Sequence, residues 1–247
     1  MTSPHKLRGT FLALAIGGAM AAGPALARPV VIELFTSQAC SSCPPADALL
    51  AVIAARAGII ALSLPIDYWD YRGWTDTLAK HAHTERQRGY SMARGDGEVY
   101  TPQAVVNGLR HVIGSDRQSV EAALAAAAME PGVEVATTRA GSTVRIDIAA
   151  AAGNGPSWGT VWILLYDATE TVAIGRGDNA GRMVTYTNVV IEMHRLAMWR
   201  GDAMSFELPM MELMEAKADG CVILVQEERD GLPGAIVGAA SYAIAAW

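Results

Sequence analysis

Cysteine is scarce: the chain has three among its 247 residues. Three are too few for a fold held by a disulfide scaffold, and an odd number leaves one thiol to explain. A basic excess is also missing. The formal net charge is −6, whereas a surface that binds phosphates normally carries positive charge, so nucleic acid is not an expected partner. No glycine-rich phosphate loop occurs, and no organic cofactor is expected. Beyond the N-terminal segment no apolar run approaches the ~20 residues a membrane span needs. There is no internal repeat, and the one biased tract is an alanine-rich stretch near residue 125. What remains is 51% hydrophobic and 18% charged. That composition lies well outside the disordered range, with material for one large domain or two small ones.

The first residues read as a leader. Lys6 and Arg8 precede the apolar "FLALAIGGAMAAG", and "ALA" at 25–27 offers small residues at a cleavage spacing. This is the layout of a secretory signal, processed after Ala27 and leaving a soluble mature protein with no membrane span. In a bacterial setting that predicts a periplasmic or secreted location. Such a compartment is oxidising, so a disulfide there persists.

Strand and helix patterns alternate from residue 29. "PVVIELFTS" (29–37) and "IIALSLPID" (59–67) are short apolar runs suited to buried strands. "PPADALLAVIAARA" (44–57) has helical spacing, with prolines in the first turn where a helix tolerates them and Gly58 as its stop. A polar helix is predicted over "TLAKHAHTERQRGYSMA". "AVVNG" and "LRHVIG" then read as a hairpin with an Asn-Gly turn, and Ser115 or Asp116 as the cap of a final helix. The order β-α-β-α-β-β-α is complete by residue 130. "EPGVEV" marks a boundary, after which seven strand-like segments, including a separate "TVAIG", predict a mostly antiparallel β-sandwich-like domain over 131–247. "MMELMEAKADG" is the helical exception.

Cys40-Ser-Ser-Cys43 joins the first strand to the first helix. Three uses are open to it. As a staple it is weak: closing so short a loop yields ~2 kcal/mol, against ~4.7 for a 100-residue loop. As zinc ligands two thiolates fill half a tetrahedral site, and no second cysteine pair exists; His81 and His83 stand two residues apart on a helix and so on different faces. Cu(I), which two soft thiolates satisfy, stays open. As a redox couple the pair is well placed, because a helix N-terminus favours the thiolate. Cys40 is then the nucleophile and Cys43 the resolving thiol. The Thr101–Pro102 bond opens a strand; whether it is cis or trans is left open by the residues themselves.

These features together resemble the thioredoxin fold, which implies an α/β thioredoxin-like domain over 28–130. In that resemblance Cys40 and Cys43 are the dithiol, Pro102 is the cis-proline packed against it, and Thr101 receives a substrate chain. "ELFTSQACSSCPPAD", "DYWDYRGWTD", "RQRGY", "YTPQAVVNG" and "RGDNAGRMVTYTNVV" are more specific. They are similar to a family of secreted bacterial proteins known as domain of unknown function family 1223, over nearly the whole mature chain. The central Ser-Ser departs from well-known thioredoxin-like enzymes, so no reduction potential carries over.

Tyr68, Trp69 and Trp74 follow the second strand and suit either a substrate groove or aromatic packing. Asp67 reads as a strand-end residue or as a buried proton acceptor for Cys43. Gln87 and Tyr90 carry the family pattern without an assigned role. Cys221 reads as a small core hydrophobe, and the three Arg-Gly-Asp tripeptides as ordinary loops. The expected function is exported thiol–disulfide oxidoreductase chemistry with a protein thiol or disulfide as partner. The alternative is a non-catalytic thioredoxin-fold binding protein such as a Cu(I) carrier.

Overall fold

A computed structural model describes residues 28–153 and 155–244; the expected leader, 1–27, lies outside the described residues. The chain begins β1 (Val30–Thr36), α1 (Pro44–Ala54), β2 (Ile59–Pro65), α2 (His81–Arg94), β3 (Gln103–Val106), β4 (Arg110–Ile113) and α3 (Arg117–Ala127). It continues with β5 (Val135–Ala140), β6 (Thr143–Ile148), β7 (Gly159–Ala173), β8 (Met183–Trp199), β9 (Met204–Pro209), α4 (Met210–Glu215), β10 (Gly220–Arg229) and β11 (Leu232–Ala243). The first seven elements follow the order read from the sequence. "TVAIG" is not a separate strand; its first three residues complete β7.

Local chemistry explains the joints. Pro44 and Pro45 fill the first two positions of α1, where an N–H has no intrahelical partner to lose. Asp116 caps α3 by accepting from the N–H groups of Gln118 and Ser119. Asn107 and Gly108 both take positive φ in the β3–β4 turn, as an Asn-Gly pair allows.

Eight strands form one mixed sheet in the order β11-β10-β7-β8-β2-β1-β3-β4. β1 pairs in parallel with β2 and antiparallel with β3. β2 meets β8 in parallel at Ser63 and Val189, so β7, β8, β10 and β11 extend the sheet that the N-terminal half begins, and the second half does not form a separate sandwich. Strands β11, β10, β7 and β8 each run antiparallel to their neighbour in that order.

The pleat sends alternate side chains to opposite faces. Ile32, Leu34, Ala104 and Val106 pack under α1 and α3. Val31, Phe35, Leu62 and Leu64 meet Tyr90 of α2 on the other face, together with Leu164 and Leu224. A second sheet, β5-β6-β9, lays Val144, Ile146 and Ile148 on Ile163, Leu165, Ile223 and Val225 of the large sheet. The molecule is thus an α/β protein with a large mixed sheet and a small antiparallel one.

One polar group sits inside the α2 face. Arg86 donates to Glu33 at 2.6 and 3.2 Å, Tyr90 donates to the same carboxylate, and Gln226 Nε2 donates to Tyr90 Oη at 2.9 Å. This accounts for Tyr90 in "RQRGY": it ties α2 to both β1 and β10.

Candidate functional site

β1 ends at Thr36, and a seven-residue loop, 37–43, leads to α1. Binding loops commonly cluster at this carboxyl edge of parallel strands. Cys40 and Cys43 are joined as a disulfide there, with Cα atoms 5.4 Å apart. Cys43 is the N-cap residue of α1. Both half-cystines are buried, while Ser41 and Ser42 between them are exposed.

The loop ahead of the disulfide is fastened on three sides. Gln38 N–H donates to Asp76 Oδ2 at 2.7 Å, and its side-chain oxygen accepts from Trp74 Nε1 at 2.7 Å. From the far half of the sequence, Asn179 Nδ2 donates to Gln38 O at 2.9 Å and to Cys40 O at 2.8 Å. Asn179 reaches that point because β7 and β8 form a long hairpin whose tip, residues 174–182, overhangs α1. Asp178 in the same tip pairs with Arg72 at 2.8 Å. The Arg176–Asp178 tripeptide, expected to be an ordinary loop, therefore belongs to the site. No sequence signal tied it to the cysteines except its membership of the family pattern.

Thr101 and Pro102 lie across the loop, joined by a cis peptide bond. Gln103 of β3 pairs with Phe35 of β1, which sets Pro102 beside the end of β1. A Cβ on Gly114 would lie 3.4 Å from the Cβ atoms of both Pro102 and Ala46, so Gly114 is flanked by the proline and by the first turn of α1. The same Cβ would sit 2.6 Å from Leu34, which is why the position is glycine. Gln87 of α2 donates from Nε2 to Tyr100 O and to Gln103 Oε1, both at 2.7 Å, and so holds the segment flanking Thr101.

The aromatic cluster lines this mouth. Trp69 Nε1 donates to Thr101 Oγ1 at 2.7 Å. The Trp69 ring stacks on exposed Tyr71 and lies under the Arg72 guanidinium. Tyr68 sits further in, its phenol pushed up to about 12 by burial. Of the two readings of these rings, Trp69 and Trp74 serve the loops around the disulfide directly.

Asp67 is not beside Cys43. It accepts from Thr84 Oγ1 at 2.5 Å and meets His81 Nδ1 at 2.8 Å. Burial pushes its carboxyl up, but the bonds from Thr84 and His81 outweigh that and hold it below the ordinary range. The buried carboxyl near the dithiol is Asp47, one helical turn after Cys43 on the same face. Neither of its oxygens has a hydrogen-bond partner. Burial pushes it up to about 7, against the pull of neighbouring Thr36 and with a further push from Asp76. Asp76 is itself raised to about 6 by burial. Tyr186 of β8 completes the cluster, its phenol raised by burial and by both carboxyls. A signal for Asp47 did exist: in "CPPAD" it stands four residues after Cys43 on a helix whose Cys43 side faces inward.

His81 and His83 lie apart, as their spacing implies. His81 is exposed, whereas His83 is buried against Pro65 O and pushed down to about 4 by that burial. Among the described residues no three His, Cys, Asp or Glu side chains gather to hold a metal ion. Cys221 packs in the core beneath the small sheet, with burial pushing its thiol up to about 12.

Fold and site together define an α/β protein whose buried Cys-x-x-Cys disulfide opens a helix beneath the tip of a long hairpin. The chain belongs to the family described as protein of unknown function (DUF1223), which matches residues 31–226. It is similar to a crystallised protein from Agrobacterium tumefaciens, at 38% identity and a TM-score of 0.77, over 88% of this chain and 95% of that one. HBP35 of Porphyromonas gingivalis shares the fold at 12% identity and a TM-score of 0.54, over 87% of this chain and 75% of its own. No curated protein matches the chain.

Proposed function

We propose that this is an exported, thioredoxin-like thiol–disulfide oxidoreductase acting on protein thiols or disulfides. The observation that carries the reading is the Cys40–Cys43 disulfide bridging the approach to α1, with cis Pro102 and the first turn of that helix both flanking Gly114. The β-α-β-α-β-β-α order around β1 supports the thioredoxin-like part. The leader-like N-terminus supports export.

In the reduced protein Cys40, 4% exposed where Cys43 is fully buried, is the attacking thiolate. It forms a bond to one sulfur of a substrate disulfide, and the other sulfur leaves as a thiolate. Asp47 then takes the proton from Cys43. The Cys43 thiolate attacks Cys40, closing the intramolecular disulfide and releasing the second substrate thiolate. The substrate is reduced by two electrons and the protein is oxidised by two. A carboxyl poised near neutrality is suited to that proton transfer. Trp69, Tyr71 and the backbone at Thr101 form the surface a substrate chain meets.

Reduction of insulin by the protein, with a small dithiol as electron source, tests the reading. Wild type is expected to accelerate insulin precipitation, and Cys40→Ser to abolish the acceleration. Equal rates with and without the protein, for insulin and for a scrambled-disulfide substrate alike, would remove the oxidoreductase assignment.

A further inference from the structure

The start of a helix stabilises a thiolate in two ways, through the macrodipole and through unpaired N–H groups that point at the sulfur. This chain discards much of the second. Pro44 and Pro45 occupy the first two helical positions and have no N–H at all. The next two N–H groups, of Ala46 and Asp47, are both engaged by Cys43 O at 2.8 and 3.1 Å. Cys43 N–H is used by Cys40 O at 3.2 Å, and Cys40 N–H by Ser37 O at 3.1 Å.

Side-chain donors nearby are also taken. Trp74 Nε1 is held by Gln38, Asn179 Nδ2 by two carbonyls, and Trp69 Nε1 by Thr101. The charges around the loop do not compensate. Asp76 faces it through Gln38 N–H, Asp47 lies behind Cys43, and Arg72 is neutralised by Asp178. The Ser41 and Ser42 N–H groups make no backbone hydrogen bond, but the side-chain donor in contact with the sulfur is Ser42 Oγ, 3.4 Å from Cys40 Sγ.

We propose that Ser42 is the thiolate-stabilising donor of the dithiol, its hydroxyl standing in for the helix N–H groups that the two prolines remove. This rests on the oxidoreductase reading for its purpose, though not for its measurement. When the disulfide is reduced, the Ser42 O–H donates to the Cys40 thiolate. When Cys40 attacks a substrate disulfide, the negative charge passes to the leaving sulfur and that hydrogen bond is released. The central Ser-Ser pair therefore has unequal members: Ser42 touches the reacting atom, and Ser41 makes no such contact.

The test is the rate of Cys40 alkylation by iodoacetamide against pH in the reduced full-length mature protein, with the modified cysteine located by mass spectrometry. Ser42→Ala is expected to raise the Cys40 pKa by about one unit, lowering the thiolate fraction below that pKa about tenfold. Ser42→Thr should stay near wild type, and Ser41→Ala should not shift. Pro45→Ala in the Ser42→Ala background returns an N–H to the helix start and is expected to recover part of the shift. At a pH above the Cys40 pKa of both proteins, the equilibrium with glutathione should move about tenfold toward the disulfide in Ser42→Ala, because the reduced thiolate loses its stabilisation. An unshifted Ser42→Ala profile, or an equal shift in Ser41→Ala, would overturn the proposal. If wild type exchanges with no disulfide, the oxidoreductase reading falls, while the alkylation profiles, which need no substrate, still decide the role of Ser42.

Discussion

Asn179 grips Cys40 across 139 residues of sequence, donating from Nδ2 to the Cys40 carbonyl at 2.8 Å and to the Gln38 carbonyl at 2.9 Å. It is 1% exposed. The hairpin tip that carries it is therefore a wall of the dithiol site. Asn179→Ala leaves the buried Gln38 carbonyl unpaired and the Cys40 carbonyl with only the Cys43 N–H, and is expected to cost roughly 1–3 kcal/mol of stability. Asn179→Asp should cost more, since a carboxylate offers those carbonyls only acceptors. Urea unfolding of the oxidised protein gives the first quantity. The rate of disulfide reduction by dithiothreitol, expected to rise in both variants, gives the second.

The two half-cystines should behave differently when separated. Cys43→Ser removes the proposed resolving thiol and is expected to accumulate mixed disulfides through Cys40 in the compartment where the protein resides. Cys40→Ser should accumulate none, because Cys43 is fully buried. Non-reducing gels of cells quenched with acid and alkylated report both. Equal trapping by the two variants would contradict the assigned roles.

Asp47 couples stability to pH with a definite sign. Its folded-state value, about 7, lies above its unfolded value, 3.8. The folded state therefore holds the proton more tightly. That contribution is complete below about pH 4 and is lost as pH rises through 7. Between pH 5 and pH 8 wild type should lose roughly 2–3 kcal/mol relative to Asp47→Asn, which cannot ionise. Denaturant titrations of both proteins at pH 5 and pH 8 measure the difference. A gap that does not change with pH would show Asp47 to be ionised throughout.

The Glu33–Arg86 pair is expected to matter for folding rather than for exchange. Arg86→Met leaves a fully buried carboxylate without its counter-charge and should cost about 3–5 kcal/mol. Adding Glu33→Gln should recover part of that loss, because Tyr90 still serves the amide. A double-mutant cycle by chemical unfolding reads the coupling, and the Cys40 alkylation profile should not move.

Much of this molecule is legible in one dimension because its signals are local. Prolines before an apolar helical run, an Asp at an N-cap and an Asn-Gly pair each act within a few residues, and α1, α3 and the β3–β4 turn form where they are expected. Cys40 and Cys43 are three residues apart, so their pairing needs no long-range information. What remained hidden depends on strand order. Nothing in residues 174–182 says that β8 lies beside β2, yet that single parallel contact carries Asn179 onto the Cys40 carbonyl. The choice between Asp67 and Asp47 was equally tertiary. Both are acidic residues near the right elements, and only burial and partners separate them: Asp67 has Thr84 and His81, whereas Asp47 has no hydrogen-bond partner. Sequence placed a cysteine pair at a helix start. Packing of the second half against the first decided which groups surround it, because long-range contacts are set by which faces bury together and not by spacing along the chain.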